Sequence, residues 1–162
     1  MKKRILRSSA MAALLLAATQ TIVSAQETAD DEHCRKEARS IEGVWTANVT
    51  IRDCKTGDVI RSVRALNLFI HDGSLTETAV NVLRTPSVGT WRHVEGQTYA
   101  STFNFFRYNP NGTFASRAKV TRSIELSDDG SGFTTTDTVA DFDANDALIS
   151  TTCATETATR PE

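Results

Sequence analysis

The chain is poor in the groupings that carry readable chemistry. It has neither a Gly-x-Ser-x-Gly elbow nor a glycine-rich phosphate loop, which leaves elbow-type hydrolases and nucleotide-binding loops without their sequence mark. Its three histidines, His33, His71 and His93, are scattered, with no two at ligand spacing on one element. Asp141, Asp143 and Asp146 approach a calcium loop but lack its full spacing. The cysteines form no Cys-x-x-Cys or Cys-x-x-His pair, so no zinc pattern is spelled. No metal and no cofactor is expected, and catalysis has little support. Heptads, internal repeats and low-complexity linkers are also missing.

Long apolar runs are scarce as well. The stretch from Met11 to Ala18 is about half of the ~20 residues that span a bilayer. It follows Lys2, Lys3, Arg4 and Arg7 and precedes Val23-Ser24-Ala25. A basic start, a short apolar stretch and a small-x-small end are the parts of a secretory signal peptide, with cleavage expected near Ala25. Residues 1–25 are read as this leader, 26–41 as a polar N-terminal segment and 42–160 as one β-barrel domain. A secreted or periplasmic protein is expected. The whole chain has 18 basic and 20 acidic side chains. Without the four leader cations, 14 face 20, a net charge of about −6. Such a surface argues against nucleic acid, which calls for clustered Lys and Arg.

An oxidising compartment makes a disulfide the natural state for two of Cys34, Cys54 and Cys153. Cys54–Cys153 is the preferred pair, because it would tie the end of the first strand to the last strand. Cys34–Cys153 is the rival, which would pin the N-terminal segment to the barrel.

What is present is alternation. Trp45, Ala47, Val49 and Ile51 share one face, and Thr46, Asn48, Thr50 and Arg52 the other. A period of two marks a half-buried strand. Turn signals such as Asp72-Gly73, Glu95-Gly96, Asn111-Gly112 and Asp129-Gly130 divide the rest. Further strands are predicted over about 60–70, 74–83, 88–94, 98–108, 115–126, 133–142 and 147–154. The Thr-rich composition of several suits the pleat. Short turns imply an antiparallel meander. Closing eight strands into an up-and-down barrel removes the exposed edges; a two-layer sandwich is the alternative.

Gly43-Val44-Trp45 at the start of strand one, after a short N-terminal segment, resembles the Gly-x-Trp signature of lipocalins and the wider calycin superfamily. The resemblance rests on that tripeptide with the number and order of strands. It implies an all-β, eight-stranded antiparallel calycin-like barrel, with Trp45 closing one end beneath an Arg from the last strand, a place Arg160 can occupy. The lipocalin loop signature Thr-Asp-Tyr is unmatched, and Gly89-Thr90-Trp91 repeats the Gly-x-Trp spacing elsewhere.

Charged residues in register with apolar neighbours single out Arg64, Glu77 and Arg122. If those faces point inward, each charge must be paired or must bind something charged, since isolated burial costs several kcal/mol. Arg64 could pair with Glu77 on the adjacent strand, leaving Arg122 to hold an acidic ligand group through parallel hydrogen bonds. Tyr99, Phe103 and Phe105 share one face of strand five and suit either a pocket wall or a packed core. The sequence therefore points to a secreted barrel binding a small, partly apolar or amphipathic molecule through Arg64, Glu77, Tyr99, Phe103, Phe105 and Arg122. The alternative is a protein-binding or inhibitor module of the cell envelope, with its barrel filled by side chains. A calycin-type isomerase or cyclase is the remote third reading.

Overall fold

A computed structural model describes residues 40–161. The leader through Ala25, most of the polar segment that follows it, His33 and Cys34 lie outside the described residues. Eight strands follow in order: β1 (Gly43–Arg52), β2 (Val59–Phe69), β3 (Ser74–Ala79), β4 (Ser87–Glu95), β5 (Thr98–Tyr108), β6 (Phe114–Leu126), β7 (Gly132–Phe142) and β8 (Leu148–Thr159). Each pairs antiparallel with its neighbour, and β1 pairs with β8, so the meander closes into an up-and-down barrel. No helix among the described residues is long and apolar enough to cross a membrane.

Alternation sets the inside. From β1 the barrel receives Trp45, Ala47 and Val49; from β5, Tyr99, Ser101, Phe103 and Phe105; from β6, Ala118, Val120, Arg122, Ile124 and Leu126. Directly opposed residues of an antiparallel pair lie on one face of the sheet. The pairings Trp45↔Asn67 and Ala47↔Ala65 therefore send Ala65, Asn67 and Phe69 inward. That corrects the phase expected for β2: Arg64, Leu66 and Ile70 are exposed on the outer surface. Two strand ends also differ. β3 stops at Ala79, and β8 runs on to Thr159. The extension of β8 went unread because its inward residues, Ala154, Glu156 and Ala158, carry no apolar signal beside the outward threonines.

One end of the barrel is plugged by aromatics. Trp45 meets Phe133 edge-on at 5.0 Å between centroids, and Phe69 meets Phe133 at 6.0 Å. Such contacts add about 0.5–1.5 kcal/mol each beyond burial. The indole N–H of Trp45 donates to the Ile41 carbonyl at 2.7 Å. Arg160 lies over the Trp45 ring, 3.8 Å from its centroid, and donates to the carbonyls of Ser40 and Glu42. The closed barrel and this stacked pair are consistent with a calycin-like fold. Toward the other end, Cys54 and Cys153 form a disulfide with Cα atoms 5.0 Å apart, fixing the end of β1 to β8.

Candidate functional site

Above the aromatic plug the inward residues turn polar. On β6, Arg122 follows Ile124 inward at the position paired with Ser101 of β5 and Asp137 of β7. Glu156 of β8 sits opposite Thr135, and Asn67 of β2 opposite Glu77 of β3. Alternate positions on five strands thus bring one guanidinium, three carboxylates and an amide into a single layer. All five side chains are buried.

The contacts separate that layer into two groups. Arg122 Nη2 lies 2.7 Å from Glu156 Oε2, and Arg122 Nε lies 3.3 Å from Asp137 Oδ1. Asn67 joins them, donating to Glu156 Oε1 at 2.6 Å and accepting from Arg122 Nη1 at 3.3 Å. Glu77 belongs to the second group. Arg84, in the loop between β3 and β4, donates to both its oxygens at 3.3 and 2.8 Å, and the Ser87 hydroxyl donates at 2.9 Å. The Arg84 guanidinium is stacked 3.5 Å from the Phe105 centroid.

The first group is crowded with charge but loosely bonded. Arg122 Nε, Asp137 Oδ1 and Glu156 Oε2 are close as ions yet lack aligned hydrogen bonds, and the neighbouring Ser101 hydroxyl has no partner. Burial works against the charge of Arg122, but Glu156, Asp137 and Glu77 outweigh it and hold the guanidinium above its ordinary value. Burial raises the Asp137 carboxyl, with Arg122 pulling against it. Glu156 is pushed up to about 7, first by burial and then by Asp137 and Glu77, against the attraction of Arg122. Two carboxylates sharing one guanidinium cannot both keep their charge cheaply in a low-dielectric interior.

A cavity of about 50 Å³ rests on this layer. Glu77, Arg122 and Asp137 reach its floor; Val49, Val63, Phe103, Phe105, Val120 and Val139 form its walls; Arg61, Asn81 and Arg107 reach its rim. At roughly 10–15 Å³ per water it takes about four water-sized groups, well below the roughly 300–1,000 Å³ of drug-sized sites. Among the described residues no group of three His, Cys, Asp or Glu is placed to hold a metal ion.

No family model, curated protein or solved structure matches this chain.

Of the residues singled out by sequence, the structure brings Glu77, Phe103, Phe105 and Arg122 to the cavity. Arg64 is on the outside, in a surface groove with Thr46, Leu66, Thr78 and Val80, and the partner of Glu77 is Arg84 instead. Tyr99 is inward but lies toward the plugged end, against Trp91 and His93 at 5.9 and 5.0 Å. Sequence reasoning missed Asn67, Arg84, Asp137 and Glu156. Asp137 and Glu156 carried only a faint signal: each is an acid flanked by threonines, with nothing larger than valine or alanine in phase two residues away.

Proposed function

We propose that the barrel binds a small, partly apolar molecule, as a secreted or periplasmic lipocalin-like carrier rather than an enzyme. The observation that carries this reading is the cup itself: apolar walls descending to a buried, charged floor in which Arg122 Nε and Asp137 Oδ1 lack aligned hydrogen bonds. Buried polar groups are normally satisfied, and a ligand group seated there would complete them. The cup's volume limits the seated part to a few heavy atoms, so a longer ligand would extend past Phe105 to the rim. The disulfide supports an oxidising compartment.

Arg122 is a poor anchor for the acidic group that sequence suggested. It already faces two carboxylates, and a third would raise the cost of every one of them.

The test is native mass spectrometry of the protein purified from its own host. Extra mass lost on denaturation, absent from an Ala79→Leu variant that narrows the cup, supports the reading. An apo mass from both, with no small-molecule binding by calorimetry, overturns it.

A protein-binding reading has its own observation. Val80 and Val82 in the β3–β4 loop are 77% and 98% exposed, beside the half-exposed Leu83 and the exposed Val88. Exposed apolar groupings of this kind mark interaction surfaces. Pull-down by the wild type but not by Val82→Asp would favour that role.

A further inference from the structure

We propose that the floor of the cup takes the cationic end of an amine, whose positive charge makes up what two carboxylates around one guanidinium lack. This rests on the cup being a ligand site and names the chemistry of the ligand's polar end.

Glu77 is neutralised by Arg84 at 2.8 Å, and Asp141 by Arg107 at 2.8 Å. What is left inside the barrel is Arg122 against Asp137 and Glu156, one positive charge against two negative. All three side chains are 2% exposed or less, so water does little to screen the excess. Asp137 is one of the residues lining the cavity, and its Oδ1, buried beneath that surface 3.3 Å from Arg122 Nε, has no aligned hydrogen bond. An ammonium or amidinium donates to such an oxygen and balances the charge. A water molecule supplies only the hydrogen bond, and a ligand carboxylate worsens the imbalance. Arg61 at the rim has no ion pair among the described residues, but it is exposed, where solvent and salt screen it.

In the free protein the excess is relieved by a proton. The groups facing Glu156 are Asn67 from β2, Glu77 from β3, Arg122 from β6 and Asp137 from β7. Together with burial they push its carboxyl up to about 7. Cation binding then displaces this proton to solvent, and affinity climbs with pH. For one proton released by a group titrating at about 7, the gain from pH 6 to pH 8 is about tenfold.

Three matched probes test this by calorimetry on the whole mature protein: butylammonium, butanol and butyrate, each at pH 6 and pH 8. A primary ammonium resembles the lysine head, which stays charged at both values. Butylammonium is expected to bind best, about tenfold tighter at pH 8, with proton release seen as a buffer-dependent heat. Glu156→Gln, which keeps the contact with Asn67, should abolish both the preference and the pH dependence while still melting cooperatively. If that variant does not fold, Asp137→Asn is held to the same expectation. Equal or better binding of butanol or butyrate overturns the cation assignment and leaves the cup standing. Amine binding that ignores pH overturns the exchange with the Glu156 proton, and with it the seat at this floor. No binding of any probe overturns the cup and this inference together.

Discussion

Arg122 of β6 and Glu156 of β8 reach toward each other across the inside of β7 and meet at 2.7 Å, with side chains 2% and 0% exposed. Asp137, on the strand between them, faces the same guanidinium. The middle of this barrel is therefore built on an unbalanced ionic group, where an apolar layer would have been easier to fold. Buried ion pairs are weak evidence for stability, because desolvation offsets most of their attraction.

Stability should consequently fall as pH rises through neutrality. The Glu156 carboxyl titrates at about 7 in the folded chain against an ordinary 4.5. Between those values the folded state keeps a proton that the unfolded state gives up. The penalty is absent below the unfolded value, grows through this window and is complete above about 7. Its size is on the order of 3 kcal/mol. Thermal melts at pH 5.5 and pH 8 should show a lower Tm at pH 8, with the difference largely removed in Glu156→Gln. A wild-type Tm that rises across this range would contradict the proton held at Glu156.

Arg122→Met should be far more damaging than loss of a ligand contact. It leaves Asp137 and Glu156 buried without their cation, and breaking a buried pair in this way costs about 3–5 kcal/mol. Protonation relieves part of that, so the loss read from urea denaturation should be smaller at pH 5 than at pH 8. A loss below about 1 kcal/mol at pH 8 would mean that Arg122 is not the centre of this group.

The barrel was legible because its evidence is local and repeated. Alternation in β1, β5 and β6, with turn residues between them, dictates antiparallel neighbours and leaves closure as the way to remove edges. The site was half legible for a related reason. Arg122 and Glu77 stand out among large apolar neighbours of their own parity, whereas Asp137 and Glu156 sit among threonines and alanines, where an inward acid looks like an outward one. Asn67 and Arg64 exchanged places because β2 has apolar residues on both faces. Only pairing with β1, a relation absent from the β2 sequence itself, decides which face is inside. Arg84 was illegible, since a loop residue reaching back to Glu77 leaves no periodic trace.

The disulfide should matter more than its exposed setting suggests. It joins residues 99 apart in sequence, and in the chain-entropy account a loop of ~100 residues gives roughly 4.7 kcal/mol, with typical measured losses of about 2–5. The Cys54→Ser, Cys153→Ser double variant should lose about that much in denaturant melts. It should nonetheless regain the same β-rich circular dichroism at low temperature, because the ladder on both sides of β1 remains. A variant as stable as the wild type would show that the unfolded chain is already constrained.

Arg160 should contribute measurably to the plugged end although its backbone lies past β8. Its guanidinium covers the Trp45 ring and donates to two carbonyls of the incoming chain. A cation over an aromatic face at a partly covered site is worth about 0.5–1 kcal/mol, and each net hydrogen bond about 0.5–1.5. Arg160→Ala is expected to cost about 1–2 kcal/mol and to red-shift the Trp45 fluorescence as water reaches the ring. Unchanged emission would place the seal in the aromatic packing alone.

Gly89 tests the cup wall from behind. It lies in β4 opposite Phe103 of β5, and a Cβ added there would fall 2.1 Å from the Thr102 carbonyl oxygen and 2.5 Å from the Phe103 Cα. Those neighbours are backbone in a closed barrel, so neither can swing aside. Gly89→Ala must push β4 away from β5 and shift Phe103, which walls the cavity and stacks 4.8 Å from Arg122. Overpacking typically costs about 1–3 kcal/mol and occasionally more, and a clash with backbone on this scale belongs at the upper end. The expected result is a loss of about 3 kcal/mol in denaturant melts, with amide exchange accelerated first along β4 and β5. A loss under 1 kcal/mol with unchanged exchange there would mean that β4 packs further from β5 than this register places it, and that the cup's wall is looser than its geometry implies.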